Sequence, residues 1–146
     1  MIEKEDEVTH KVFFGENIRR VKRFFKNKKM EKKFKVWDKE LKRFVIYAPH
    51  MSIDLNGNVY NLQDGEGGKE RYELIQYSGI KDKNGKEIYE GDIIIGSLTI
   101  EEDNFDFEGA VIFDEGIFTC EEADFGNLLT YSELEIVGNI YENKNL

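Results

Sequence analysis

Apolar positions recur first at helical spacing and then switch to alternation. Phe14, Ile18, Val21 and Phe25 lie four, three and four residues apart, which places them on one face of a helix. Arg19, Arg20, Lys22, Arg23 and Lys26 occupy the rest of its circumference. Gly15 and Asn17 can open this helix, and the Asn27-Lys28-Lys29 run ends it. Beyond residue 30 the period becomes two. Phe34 and Val36 alternate with Trp37 in Lys33–Asp38, and Phe44–Ala48 reads as a second short strand after a polar hairpin loop.

Turn chemistry divides the rest. Ile53 and Leu55, then Val59 and Tyr60, flank Asn56-Gly57, a hairpin signal because a type I′ turn needs positive φ at both central residues. Residues 63–70, rich in glycine and charge, form a flexible loop and the softest internal boundary. A strand over Arg71–Gly79 follows, then a turn at Asn84-Gly85. A strand over Ile88–Ile100 has Gly91 near its start, where Glu90-Gly91-Asp92 makes a second bend. Residues 101–109 read as an acidic loop, and two strands flank Asp114-Glu115-Gly116. The chain closes with a strand over Leu134–Asn143 that has Gly138 at a bulge or close contact. One helix followed by many short strands predicts a mainly β (α+β) chain built as a small antiparallel barrel or sandwich.

Composition bounds the class. With 146 residues the chain suits one domain, and 13% aromatic content supplies a core. Cys120 is the single cysteine, which excludes an internal disulfide and a thiolate zinc site; it reads as a buried structural residue. No apolar run reaches the ~20 residues of a membrane span, and no apolar segment follows the acidic start. The expectation is a cytoplasmic, reduced protein.

Charge is more informative. Residues 15–35 carry ten Lys and Arg against Glu16 and Glu31, whereas residues 101–146 carry thirteen acids against Lys144. The two ends are opposite poles. The basic helix therefore has three readings: docking against acidic surface of its own chain or another copy, neutralising nucleic-acid phosphates, or lying on an anionic membrane with Phe24 and Phe25 inserted.

The glycine-rich run Gln76–Gly96 raises the question of catalysis. Gly79, Gly85 and Gly91 are six apart, no Ser or Thr follows Lys86, and neither a P-loop nor GxGxxG is present. A calcium loop beginning at Asp82 would place Lys86 where a ligand belongs; one beginning at Asp54 would place Val59 at the required glycine. The run reads as turns that launch a strand. His10 and His50 are the histidines, and Ser78 lacks a nucleophile elbow. A carboxylate-pair hydrolase ranks last. No catalytic residue, metal or cofactor is assigned.

Three stretches carry a resemblance: "MEKKFKVWDKELKRF" (Met30–Phe44), "YELIQYSGIKDKNGKEIYEGDII" (Tyr72–Ile94) and "LEIVGNIYEN" (Leu134–Asn143). With the Trp37-Asp38 pair, the Gln76–Glu87 run, Glu90–Asp92 and Gly138–Asn143, residues 30–146 resemble the YopX family of phage and prophage proteins, and residues 1–29 read as an extension. The resemblance implies an SH3-like barrel, a tendency to oligomerise and no established activity. The expected function is a non-enzymatic module binding a host or phage protein as inhibitor or regulator; the alternative is a nucleic-acid accessory protein using Arg19, Arg20, Lys22, Arg23 and Lys26.

Overall fold

The computed structural model describes residues 31–63, 68–121 and 127–143. The expected amphipathic helix, with its five basic residues, falls outside them. Among the described residues helix is limited to one turn, α1 (Gly68–Arg71), and a 3-10 turn over Leu128–Thr130. The rest is antiparallel β: β1 (Phe34–Asp38), β2 (Arg43–Phe44), β3 (Met51–Ile53), β4 (Val59–Asn61), β5 (Tyr72–Lys81), β6 (Glu87–Tyr89), β7 (Asp92–Ile100), β8 (Asp103–Asp114), β9 (Ile117–Cys120) and β10 (Ser132–Asn139). They form a sheet ordered β2-β1-β5-β6, a sheet ordered β10-β7-β8-β9, and the separate hairpin β3-β4.

Each sheet has its own core. Trp37, Ile75, Tyr77 and Tyr89 are buried in the first, with Phe44 and Tyr141 against them. Ile88, Ile94, Val111, Phe118, Cys120, Leu128, Tyr131 and Leu134 are buried in the second. In β6 the alternation of side chains sends Ile88 to one core and Tyr89 to the other. β5 also serves both, because a bulge at Gly79 (φ 85°) shifts its register between Tyr77 and Lys81. Tyr77 therefore faces the first core and Ile80 the second. Buried Ser78 supports the bulge by donating to the Ile88 carbonyl (2.7 Å) and accepting from the Ile80 amide (3.2 Å).

Four local readings change. The expected strand Phe44–Ala48 stops at Phe44: one more bond runs from the Val45 amide to the Val36 carbonyl, and Ile46 then stands 99% exposed. Pro49 supplies no amide to carry a ladder on. The strand expected over Ile88–Ile100 is two, broken at Glu90-Gly91. Residues 103–109, expected as acidic loop, are the first part of the 12-residue β8. Phe105 and Phe107 alternate there with Asn104, Asp106 and Glu108, so the acids take one face and water solvates them. Finally, Asn56-Gly57 is not a type I′ turn, because Gly57 (φ 80°) is left-handed and Asn56 is not. The two-residue turn with both residues left-handed is Glu115-Gly116 (φ 46° and 85°) between β8 and β9.

Candidate functional site

The two Asp-x-Asn-Gly loops have their aspartates engaged by their own amides. Asp54-Leu55-Asn56-Gly57-Asn58 and Asp82-Lys83-Asn84-Gly85-Lys86 are the same device used twice. In each, the aspartate Oδ1 accepts from the amides two and four residues on: Asn56 (2.8 Å) and Asn58 (2.9 Å), then Asn84 (2.9 Å) and Lys86 (2.8 Å). In each, the glycine amide donates to the aspartate carbonyl. The Asn58 side-chain amide, donating to Oδ2 (2.8 Å), together with the Asn58 backbone amide, the Tyr60 hydroxyl (3.0 Å) and the Asn56 amide, holds Asp54 down at about 2. Asp82 is buried, which opposes ionisation, yet the amides of Lys86, Ile136 and Asn84 keep its carboxyl below the usual range. Its Oδ2 accepts from Ile136 (3.3 Å), so this turn is tied to β10. Asn84 and Gly85 (φ 82°) thus shape backbone, as do Asn56 and Gly57.

Gly91 and Gly138 serve a tertiary joint. Gly91 (φ 79°) donates to the Val111 carbonyl (2.8 Å) and accepts from the Ile140 amide (2.9 Å). A Cβ there would sit 2.5 Å from Tyr141 Cε2, so only glycine admits the ring. Tyr141 also touches Trp37 (5.4 Å between ring centres) and Phe44 (5.9 Å), and its hydroxyl donates to Glu73 (2.9 Å). Asn139 fixes the turn below by accepting from the Tyr141 (3.0 Å) and Glu142 (2.8 Å) amides. Gly138, at a register shift in β10, leaves room for the Asn143 side chain. Trp37, Glu90–Asp92 and Gly138–Asn143 therefore meet at one joint between the sheets. Burial there pushes up the Asp92 and Glu90 carboxyls and the Tyr141 hydroxyl, the last two further raised by Glu73.

Two surfaces stand out among the described residues. On the sheet β10-β7-β8-β9, paired residues point to the same side. Glu135, Ile95 and Glu108 make one cross-strand row, and Ser132, Ser97 and Asp106 the next. Lys83 pairs with Glu135, while among the described residues Asp106 and Glu108 have no cationic partner. Exposed Glu101, Glu102, Asp103, Asp114, Glu115, Glu121 and Glu133 extend the negative field along the same strands and their turns.

The second surface is a cleft of about 340 Å³ between β2 and the β3-β4 hairpin. Its floor is a fixed ion pair. The Arg71 guanidinium donates from Nε to Asp38 Oδ1 (3.1 Å) and from Nη2 to Oδ2 (2.7 Å), and its Nη1 lies 3.3 Å from Glu40. Asp38 also accepts the Glu40 and Leu41 amides, both at 3.0 Å. Arg71 holds the Asp38 carboxyl below its usual range, and Asp38 in turn raises Arg71. Leu41, Ile46, Tyr47 and His50, all exposed, also line it. Sequence reasoning places Trp37-Asp38 in a strand and misses this cleft, whose floor joins residues 33 positions apart.

Among the described residues no group of three or more His, Cys, Asp or Glu is placed to hold a metal ion, and no helix is long and apolar enough to cross a membrane. Arg19, Arg20, Lys22, Arg23 and Lys26 fall outside the described residues. A family model described as "YopX protein" matches residues 33–146. No curated protein matches the chain. Among solved structures, protein EF1440 from Enterococcus faecalis is similar at 22% identity and a TM-score of 0.54, over 80% of this chain and 97% of that one.

Proposed function

The chain belongs to the YopX family, and from that premise we propose that it is a non-enzymatic interaction module, encoded by a phage or prophage and acting in the host cytoplasm. It binds a host or phage protein as an inhibitor or regulator. The fold is an SH3-like barrel, a reading supported by the meander β7-β8-β9 and by β10, which returns to pair with β7 just after a 3-10 turn. Residues 1–29 form an extension to it.

One observation carries the reading: the row of acids on β8 and β10, in which Asp106 and Glu108 meet water rather than a cation of the described residues. Regularly spaced carboxylates on a twisted sheet present charge as a nucleic-acid backbone does. They suit the basic cleft of a nucleic-acid-binding protein. The test is affinity capture from bacterial host lysate on the full chain and on the double variant Asp106→Lys/Glu108→Lys. Recovery of a basic partner that the variant loses and that duplex DNA displaces is the expected result. Recovery of the same proteins on both baits would rule the acidic face out.

The second reading is a nucleic-acid accessory role for Arg19, Arg20, Lys22, Arg23 and Lys26, favoured by the basic excess in residues 15–35. Salt-sensitive mobility shifts that vanish when residues 1–29 are removed would select it.

A further inference from the structure

The chain holds two Asn-Gly pairs, Asn56-Gly57 and Asn84-Gly85, and builds both into the same turn. Both asparagines and both glycines are exposed, and the glycines share a left-handed backbone (φ 80° and 82°). The match extends to the bonds. In each turn the aspartate two residues before the asparagine accepts the asparagine amide at Oδ1. Its carbonyl accepts the glycine amide (3.0 Å at Gly57, 2.9 Å at Gly85), and its own amide donates to the carbonyl four residues on (3.0 Å and 2.8 Å). What differs is the anchor.

The second turn is fastened to β10. Asp82 Oδ2 accepts from the Ile136 amide (3.3 Å), the Lys83 amide donates to the Leu134 carbonyl (2.8 Å), and the Lys83 ammonium pairs with Glu135. Asp54 Oδ2 instead takes the Asn58 side chain and the Tyr60 hydroxyl, both from its own hairpin. That hairpin is a separate two-stranded sheet, secured farther along by buried Val59 and by the bond from Asn61 to the Tyr72 hydroxyl (3.2 Å). At its tip Ile53 and Leu55 stand exposed, and among the described residues every hydrogen bond to Asp54–Asn58 comes from within the hairpin. Two strands alone are marginally stable, and local opening favours the least-anchored element.

An asparagine before glycine is open to attack by the next amide nitrogen, because glycine has no side chain to stand in the way. That nitrogen gives up its proton to water or hydroxide and bonds to the asparagine Cγ; the Cγ–Nδ2 bond breaks and ammonia leaves. Water then opens the five-membered imide at either carbonyl. The product is aspartate or, with the main chain rerouted through Cβ, isoaspartate. In both turns the attacking amide is bonded to an aspartate carbonyl, so the reaction runs from the opened turn and its rate follows the cost of opening. We propose that Asn56 is a site of spontaneous deamidation, whereas Asn84, in a turn of the same chemistry, is protected by its ties to β10. Each conversion consumes one water, releases one ammonia and adds one negative charge. A rerouted main chain no longer presents the amides of residues 56 and 58 together to Asp54, so the hairpin beside the β2 cleft loosens as the protein ages.

The test is to hold the full chain in mildly alkaline buffer and follow each asparagine by peptide mapping and mass spectrometry. In the folded protein Asn56 is expected to convert at least about tenfold faster than Asn84. In concentrated urea both turns are open and each asparagine still precedes glycine, so the two rates should converge. Asp82→Asn separates anchor from turn. It keeps an Oδ1 acceptor for the Asn84 and Lys86 amides but turns an amino group toward the Ile136 amide, which removes that tie to β10. This variant, its fold checked by circular dichroism, should raise Asn84 conversion about tenfold and leave Asn56 unchanged. Asn56→Gln should remove the first acidic species that anion exchange resolves. The proposal is overturned if Asn56 stays intact in the folded chain, if both asparagines convert there at equal rates, if their ratio persists in urea, or if Asp82→Asn leaves Asn84 as slow as before.

Discussion

Replacing Gly91 by alanine should unfasten the two sheets from each other, and the cost can be worked from the joint. The residue sits at φ 79°, where a side chain costs about 1–2 kcal/mol. The new Cβ would also lie 2.5 Å from Tyr141 Cε2 and 3.2 Å from Cζ, so the ring must leave its place. That displacement weakens its contacts with Trp37 and Phe44 and its bond to Glu73. Together these are worth about 1–3 kcal/mol more. Gly85→Ala is the control: its φ is 82°, but nothing lies within 4 Å of the added Cβ. The expected losses are therefore about 2–5 kcal/mol at Gly91 and about 1–2 kcal/mol at Gly85. Trp37, the single tryptophan, belongs to the joint and reports urea unfolding directly by fluorescence. In a Tyr141→Ala background the ring is already gone and only Ile140 Cγ1, at 3.2 Å, remains close to the new Cβ, so Gly91→Ala should then cost little more than Gly85→Ala does. Equal losses at the two glycines, or additivity of Gly91→Ala and Tyr141→Ala, would refute the joint.

Other outcomes follow from the same contacts. Asp82→Ala should cost about 2 kcal/mol, because three amides of Asn84, Lys86 and Ile136 lose a charged acceptor, and exchange-protection at Ile136 should drop with it. Asp38 and Asp82 have lowered carboxyls, so their contribution is present above the ordinary aspartate range and fades as pH falls through their folded values; urea midpoints measured between pH 7 and pH 3 should show the loss. Asp92 has the opposite sign. Its charged form is disfavoured in the fold, so Asp92→Asn, which keeps an acceptor for the Tyr89 amide, should gain stability at pH 7 relative to wild type and lose that gain as pH falls. Asp106→Lys/Glu108→Lys should move stability by less than about 0.5 kcal/mol per site, read from thermal midpoints, since both side chains are exposed.

What could be read along the chain was local. Asp-x-Asn-Gly announces a turn because each of those residues acts on its own backbone, and both copies are turns in the fold. The period-two segment Phe34–Asp38 likewise needed no partner to be recognised. β8 was harder, since Glu101, Glu102 and Asp103 make its start look like solvated loop; only the alternation of Phe105 and Phe107 with polar residues betrays it. The Phe44–Ala48 segment erred the other way, because beyond Val45 no strand among the described residues holds Ile46–Ala48. Least legible was the function of Gly91. A glycine before Asp92 reads as a bend, and nothing local says that Tyr141, far along the chain, will occupy the space its missing side chain leaves. The cleft is hidden for the same reason, its floor pairing Asp38 with Arg71 across a separate hairpin.

The central claim is that partners meet this protein on the acidic sheet. Hydrogen exchange on the full chain, with and without the partner captured from host lysate, tests it most directly. The predicted result is slowed exchange over Ile95–Ser97 on β7 and Asp106–Glu108 on β8, lost in the lysine double variant. Slowed exchange confined to residues 43–51, or an unchanged sheet in the presence of bound partner, would contradict it.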